Sequence, residues 1–195
     1  NLQIVRYSVS EKKDIWAENI KVERQYIAFR AMTREGEEAD FRLNLYGAHN
    51  ISNILAAAAA AKHLGISLNE VAKACEKIKP EQSGMRLKEA VGGATVIDAT
   101  YSANPDGVAS HLEYLKLWPA KKIIIMPCLI ELGRASKEVH LRLGRKIGEA
   151  CDLAIITAQE RFNELRKGAM EAGMGKSDIL FSEDVKEISE KIKQF

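Results

Sequence analysis

Apolar and polar positions follow two different grammars along this chain. Up to residue 45 they alternate, as in Ile4-Val5-Arg6-Tyr7-Ser8-Val9, Ile20-Lys21-Val22, Tyr26-Ile27-Ala28-Phe29 and Phe41-Arg42-Leu43-Asn44-Leu45. A period of two marks strands with one wet face, and Glu35-Gly36-Glu37-Glu38 supplies a turn, so an antiparallel meander is expected. An alanine-rich helix then follows from Ala48 to about Leu64, closed by Gly65, and a second from about Asn69 to Lys79 ahead of Pro80. The alanines imply close helix contact. Pro80-Glu81-Gln82-Ser83-Gly84 changes the grammar and is the expected boundary. Beyond it strands alternate with helices: Met85 to Val91, Thr95 to Asp98, a helix from Pro105 to Leu117, Lys122 to Met126 and a helix from Ser136 to Ala150. Leu153 to Thr157, a helix from Glu160 to Ala172, Ile179 to Phe181 and a helix from Glu183 to Lys193 complete the series. Strands at this spacing need crossover helices, which predicts an α/β fold with a mostly parallel, Rossmann-like sheet.

The stretch Val96-Ile97-Asp98-Ala99-Thr100-Tyr101-Ser102-Ala103-Asn104-Pro105-Asp106 joins one such strand to the next helix. Asp98 comes at the carboxyl end of the strand, Asn104 reads as an N-cap and Pro105 as the first helical residue. In open α/β sheets ligands bind beyond the carboxyl ends of the strands, so polar residues gathered in this loop are a candidate site, with plain capping chemistry as the alternative. Gly47-Ala48-His49-Asn50-Ile51-Ser52-Asn53 is a second candidate. Asn50 and Asn53 lie one turn apart at a helix start, and a carboxamide pairs well with the N6/N7 edge of adenine; helix capping is again the competing role.

Composition narrows the field. Of 195 residues 46% are hydrophobic and 29% charged, which is ordinary for a globular chain. Lys plus Arg number 29 against 27 Asp plus Glu, a formal charge of +2, so no basic excess points to nucleic acid. The most apolar window, Ile54 to Ala61, is too short to span a bilayer, and no secretory leader is seen. Cys75, Cys128 and Cys151 are odd in number and widely spaced, which suggests buried thiols and a reducing cytoplasm. His49, His63, His111 and His140 show no metal-ligand spacing, so no metal site is assigned. Gly173-Met174-Gly175-Lys176-Ser177 imitates a P-loop, but Met170 stands where its first glycine belongs and the context is helix to strand. The glycines there are read as a helix end. No G-x-G-x-x-G follows a strand, which weakens an NAD-dependent reading.

Together these motifs resemble the Mur ligases, the ATP-dependent amino-acid ligases of peptidoglycan synthesis, and within them the branch that adds a D-alanyl-D-alanine dipeptide. The family pattern G-x-H-N-x-x-N before an alanine-rich helix looks like Gly47 to Asn53; G-x-R looks like Gly84-Met85-Arg86; D-D-S-Y-N-A-N-P-D looks like Asp98 to Asp106; E-L-G with a later histidine looks like Glu131-Leu132-Gly133 and His140. Departures are Ala99 for the second acid, Ser102 for the first asparagine of N-A-N, and Pro127-Cys128-Leu129 in place of G-D-M.

The resemblance implies that residues 1–80 are the C-terminal part of the central ATP-binding domain and residues 81–195 most of the Rossmann-like C-terminal domain of a truncated ligase. It implies ATP and Mg²⁺ as cofactors, with the Mg²⁺ ligands and the P-loop outside these residues, so the chain alone is expected to be inactive. Its partners would be nucleotide and small peptide substrates, without nucleic acid or membrane insertion, and the chain would be a cytoplasmic monomer. By resemblance Asn50 and Asn53 flank adenine, Arg86 reaches the ribose and phosphates, and Asp98 stands near the ribose. Tyr101, Ser102 and Asn104 line the acceptor side, with His49, Glu131 and His140 in support. A non-catalytic nucleotide-binding or interaction module derived from such a ligase is the competing reading.

Overall fold

A computed structural model describes residues 4–79, 84–90, 92–101 and 103–195. It divides into two compact units, Asn1–Ser102 and Ala103–Phe195. The expected boundary segment lies mostly outside the described residues, at 80–83.

The first unit opens with strands β1 (Tyr7–Ser8), β2 (Ile15–Val22), β3 (Ile27–Thr33) and β4 (Glu38–Leu43), hydrogen-bonded in that order. β2, β3 and β4 form the expected meander, but β1 lies parallel to β2, with Tyr7 opposite Ile15. Side chains explain this departure. Ser8 Oγ accepts the N–H groups of Ser10 and Glu11 and bends the chain, while the Asp14 carboxylate accepts the Arg6 N–H at 2.9 Å and draws β1 alongside.

Period-two burial puts Ile27, Phe29 and Ala31 of β3 and Ala39, Phe41 and Leu43 of β4 inside. Phe29 and Phe41 are register partners and stack with ring centroids 4.9 Å apart. On the opposite face Arg30 Nε donates to Asp40 Oδ1 at 2.8 Å. Helices α1 (His49–His63) and α2 (Leu68–Cys75) close this core with Ile51, Leu55, Ala58, Leu68 and Val71.

Gly65, at φ +82°, ends α1 as expected: its N–H reaches the Lys62 carbonyl and the Ile66 N–H the Ala61 carbonyl. Ser67 and Glu70 form a reciprocal capping box at the start of α2. Glu37 binds both helices, pairing with Lys62 of α1 and accepting the Leu68 N–H of α2 at 2.6 Å.

β5 (Arg86–Glu89) and β6 (Thr95–Asp98) complete this unit as an antiparallel pair with Arg86 opposite Asp98. The pair forms a two-stranded sheet of its own, apart from the parallel strands of the mostly parallel pattern. Gly92 and Gly93, at φ +89° and +81°, adopt the left-handed backbone that lets the chain reverse in so few residues.

The second unit is the Rossmann-like part. α3 (Pro105–Leu115), β7 (Ile123–Met126), α4 (Ser136–Ala150), β8 (Leu153–Ile156), α5 (Phe162–Glu171), β9 (Ile179–Phe181) and α6 (Val185–Gln194) follow in order, and β7, β8 and β9 are parallel neighbours. All four residues of β8 are buried, as befits a strand between two others with helices over the sheet.

A close helix contact lies away from the alanine run, between α4 and α5. A Cβ on Gly144 of α4 would stand 2.2 Å from the Leu165 carbonyl oxygen, and one on Gly168 of α5 would stand 2.1 Å from that of Leu141. These glycines let the two backbones touch. Gly173, at φ +99°, ends α5 by the same capping pattern as Gly65, so Gly175-Lys176-Ser177 belongs to a helix-to-strand turn and not to a phosphate loop. The three cysteines are buried and free, and burial raises each thiol, that of Cys151 to about 12. Among the described residues no helix is long and apolar enough to cross a membrane.

Candidate functional site

The first candidate cluster is at the start of α1. Gly47, at φ +85°, turns the chain out of the sheet, and Ala48 occupies the N-cap position, where it offers no side-chain oxygen to the helix. Asn50 is buried, yet it does not cap. Its Nδ2 donates 2.8 Å to the Tyr46 carbonyl, and that bond fixes the orientation of the carboxamide. Its Oδ1 therefore faces Asn53, whose Nδ2 donates to it at 3.3 Å. Asn53 is exposed and keeps its own Oδ1 and a second N–H for something outside the helix. His49 is half-buried, and that burial pushes its pKa below the ordinary histidine value.

The second cluster is on the β5–β6 hairpin. Asp98 is the last residue of β6 and lies opposite Arg86, the first of β5. Strand alternation sets Lys88 on the same face as Arg86. Lys88 Nζ donates to Asp98 Oδ2 at 2.6 Å, and Thr100 gives both its N–H (3.2 Å) and its hydroxyl (2.7 Å) to Asp98 Oδ1. These bonds, that from Lys88 foremost, hold the Asp98 carboxyl well below the ordinary carboxylate range. Arg86 is exposed at the mouth of the hairpin.

The loop that leaves β6 serves two ends. Tyr101 is 90% exposed, while Ser102 lies outside the described residues. Asn104 is a true N-cap: its Oδ1 accepts the Gly107 N–H at 2.8 Å, and Pro105 takes the first turn of α3.

In the second unit His140 is fully buried. Its Nδ1–H donates to the Ser136 carbonyl at 2.7 Å, so its Nε2 is free to accept the Leu129 N–H at 3.0 Å. That contact pins the loop that leaves β7. Glu131 is exposed two residues further on, in the left-handed region at φ +61° that a non-glycine residue rarely adopts. Within the first unit Asn50 meets Asn53 and Arg86 stands opposite Asp98, and within the second His140 holds the loop that carries Glu131. Lys88 and Thr100 escaped sequence reasoning. Their signal was the R-x-K alternation in β5 facing an aspartate, readable only once the register is known.

Family models match two stretches: the Mur ligase middle domain over residues 1–61, and the Mur ligase, glutamate ligase domain over residues 85–195. The second match alone covers more than half of the chain. The chain belongs to the Mur ligase family.

Among curated Mur ligases it is 30% identical over 151 residues to the UDP-N-acetylmuramoyl-tripeptide--D-alanyl-D-alanine ligase of Mycobacterium tuberculosis, covering 73% of this chain and 29% of that protein. It is also 30% identical over 147 residues to the UDP-N-acetylmuramate--L-alanine ligase of Endomicrobium trichonymphae, covering 75% of this chain and 32% of the relative. The chain thus spans about a third of the length of these Mur ligases. The crystal structure of MurF from Acinetobacter baumannii superposes with a TM-score of 0.82 at 26% identity, over 98% of this chain and 40% of that one. A MurF ligase from Thermotoga maritima in complex with ADP shares the fold at a TM-score of 0.72 and 20% identity, over 96% of this chain and 41% of that one.

Proposed function

We propose that this chain is part of an ATP-dependent Mur ligase that joins the carboxylate of a UDP-N-acetylmuramoyl-peptide to the amine of an amino acid or of D-alanyl-D-alanine. Residues 1–80 would end the central ATP-binding domain, and residues 81–195 would form most of the C-terminal domain. In such a reaction the γ-phosphoryl group of ATP passes to the substrate carboxylate, releasing ADP. The acceptor amine then attacks the acyl carbon, phosphate leaves, and the amine gives up a proton as the amide forms.

The observation that carries the nucleotide reading is the pair of carboxamides at the start of α1. A helix start normally consumes an asparagine as its cap. Here Asn50 anchors Asn53, and Asn53 presents one acceptor and one donor to solvent, the complement of the N6/N7 edge of adenine. Arg86 would meet ribose and phosphates, and Asp98 a ribose hydroxyl. Tyr101, Ser102 and the Asn104 side-chain nitrogen would face the acceptor, with His49, Glu131 and His140 in supporting positions. Among the described residues no three His, Cys, Asp or Glu side chains converge to hold a metal ion; the Mg²⁺ ligands would belong to the part of the central domain outside these residues.

Ala99, where the family carries a second acid, favours a second reading: a nucleotide-binding module without catalysis. Titrating ADP, and separately D-alanyl-D-alanine, into the isotope-labelled chain tests both. Amide shifts at Asn50, Asn53, Arg86 and Asp98 with ADP support the nucleotide site, and their absence overturns it. Shifts at Tyr101 and Asn104 with the dipeptide support the ligase reading, and shifts with ADP alone support the binding module.

A further inference from the structure

Asp98 has four strong acceptor positions, two on each oxygen. Oδ1 is filled by the N–H and hydroxyl of Thr100, and one position on Oδ2 is filled by Lys88 Nζ. One acceptor position on Oδ2 is left. The ammonium of Lys88 likewise spends one of its three donors on the carboxylate. On the same face of the hairpin, Arg86 stands directly opposite Asp98. The face therefore sets two cations of β5 against one carboxylate of β6 that keeps a single open acceptor position. That pattern suits a ligand that carries a hydroxyl beside an anionic group, as the ribose of a nucleoside diphosphate does.

The Lys88–Asp98 pair is hard to account for as a stability device. The Lys88 side chain is 57% exposed, and exposed ion pairs contribute little to folding because water screens them and the long side chain loses freedom. What the pair does accomplish is to fix the carboxylate. With Thr100 alone, Asp98 would be held by one oxygen and free to swing about that contact. The second bond, from the neighbouring strand, removes that freedom and keeps the open position of Oδ2 in one place. Fixing a group before the ligand arrives removes an ordering cost from binding.

We infer that Lys88 is a positioning residue that sets the Asp98 carboxylate to receive a ribose hydroxyl of the bound nucleotide. The inference rests on the nucleotide reading above and adds to it a residue that acts through another.

The test is ADP affinity of the full chain, measured for the wild type and for Lys88→Met, Lys88→Arg and Asp98→Asn, each repeated with 2′,3′-dideoxy-ADP. Asp98→Asn and Lys88→Met should each weaken ADP about three- to tenfold, the usual yield of one or two hydrogen bonds, while Lys88→Arg retains most of the affinity. With the dideoxy compound the Lys88→Met loss should disappear, because there is no hydroxyl for Asp98 to receive. A purely structural role for Lys88 would weaken both nucleotides alike. A loss of equal size with dideoxy-ADP overturns the inference and leaves Lys88 either a structural residue or a direct phosphate contact. Full ADP affinity in Lys88→Met alongside a loss in Asp98→Asn overturns it as well, leaving Asp98 without a positioning partner. If Asp98→Asn itself binds ADP normally, the nucleotide reading of this hairpin fails first.

Discussion

The asparagines at the starts of α1 and α3 are used in opposite ways. At α3, Asn104 gives its side-chain oxygen to the Gly107 N–H and is consumed by the helix. At α1, Asn50 and Asn53 lie inside the helix, bonded to the Tyr46 carbonyl and to each other, and the N-cap position belongs to an alanine. The difference extends to the surroundings. In the second unit His140 and Asp184 are likewise spent on backbone: His140 takes up the Leu129 N–H and the Ser136 carbonyl, and Asp184 caps α6 through the N–H groups of Lys186 and Glu187. At α1 and on the β5–β6 hairpin, polar side chains hold one another and leave donors and acceptors over. A side chain whose donors and acceptors are spent on backbone has little left for a ligand, whereas one that keeps an open donor or acceptor can receive one.

This contrast can be broken most sharply at His140. Replacing it by alanine removes both of its hydrogen bonds, leaves the Leu129 N–H and the Ser136 carbonyl without their partner, and opens a cavity beneath the loop after β7. The expected cost is about 3 kcal/mol or more, read as a shift in the urea midpoint, with ADP affinity unchanged. A variant as stable as the wild type would show that the loop does not depend on this contact. The next largest effect falls on Asn50. Asn50→Ala should lose about 1 to 2 kcal/mol of stability with the Tyr46 bond, and should also weaken ADP by releasing Asn53. Weakened stability with intact ADP binding would separate the two asparagines and reduce Asn50 to a structural role. Asn104→Ala should cost about 1 kcal/mol, the usual worth of a cap, and leave ADP affinity where it was. A change in nucleotide affinity there would contradict the division between consumed and available asparagines.

Much of the fold is legible from pattern alone, because its signals are local. Ser136 to Ala150 and Ile179 to Phe181 are read with the bounds the structure gives them, and Gly65 and Gly173 end their helices as their left-handed backbone allows. What escaped depends on partners distant in the chain. The parallel placement of β1 rests on side-chain bonds from Ser8 and Asp14, and strand periodicity says nothing about direction. Gly144 and Gly168 look like poor helix residues until the Leu165 and Leu141 carbonyls are seen beside them. In the candidate site, the capping role of Asn104 follows from the Asn-Pro spacing, since a cap is a contact three residues long. The pairing of Lys88 with Asp98 follows from a register, and the bond from Leu129 to His140 from the path of a loop, so neither is visible in a list of residue types.

The smallest expected change in stability belongs to Asn53, and it decides most about the site. Asn53 is exposed, and its bond to Asn50 is long at 3.3 Å, so truncation should shift stability by less than about 0.5 kcal/mol; alanine also favours the helix more than asparagine does and offsets part of the loss. Its effect on ADP should be out of proportion to that. The carboxamide offers one acceptor and one donor together, and losing such contacts in a partly desolvated site weakens binding up to about tenfold. Adenosine should lose affinity by the same factor as ADP, because the contact is to the base, whereas a charge change on the hairpin at Arg86 should be felt by ADP and much less by adenosine. Titrations of both compounds against Asn53→Ala and Arg86→Ala give a two-by-two comparison. If Asn53→Ala leaves adenosine affinity intact while lowering the urea midpoint, its carboxamide serves the helix after all, and the start of α1 is a variant of the start of α3.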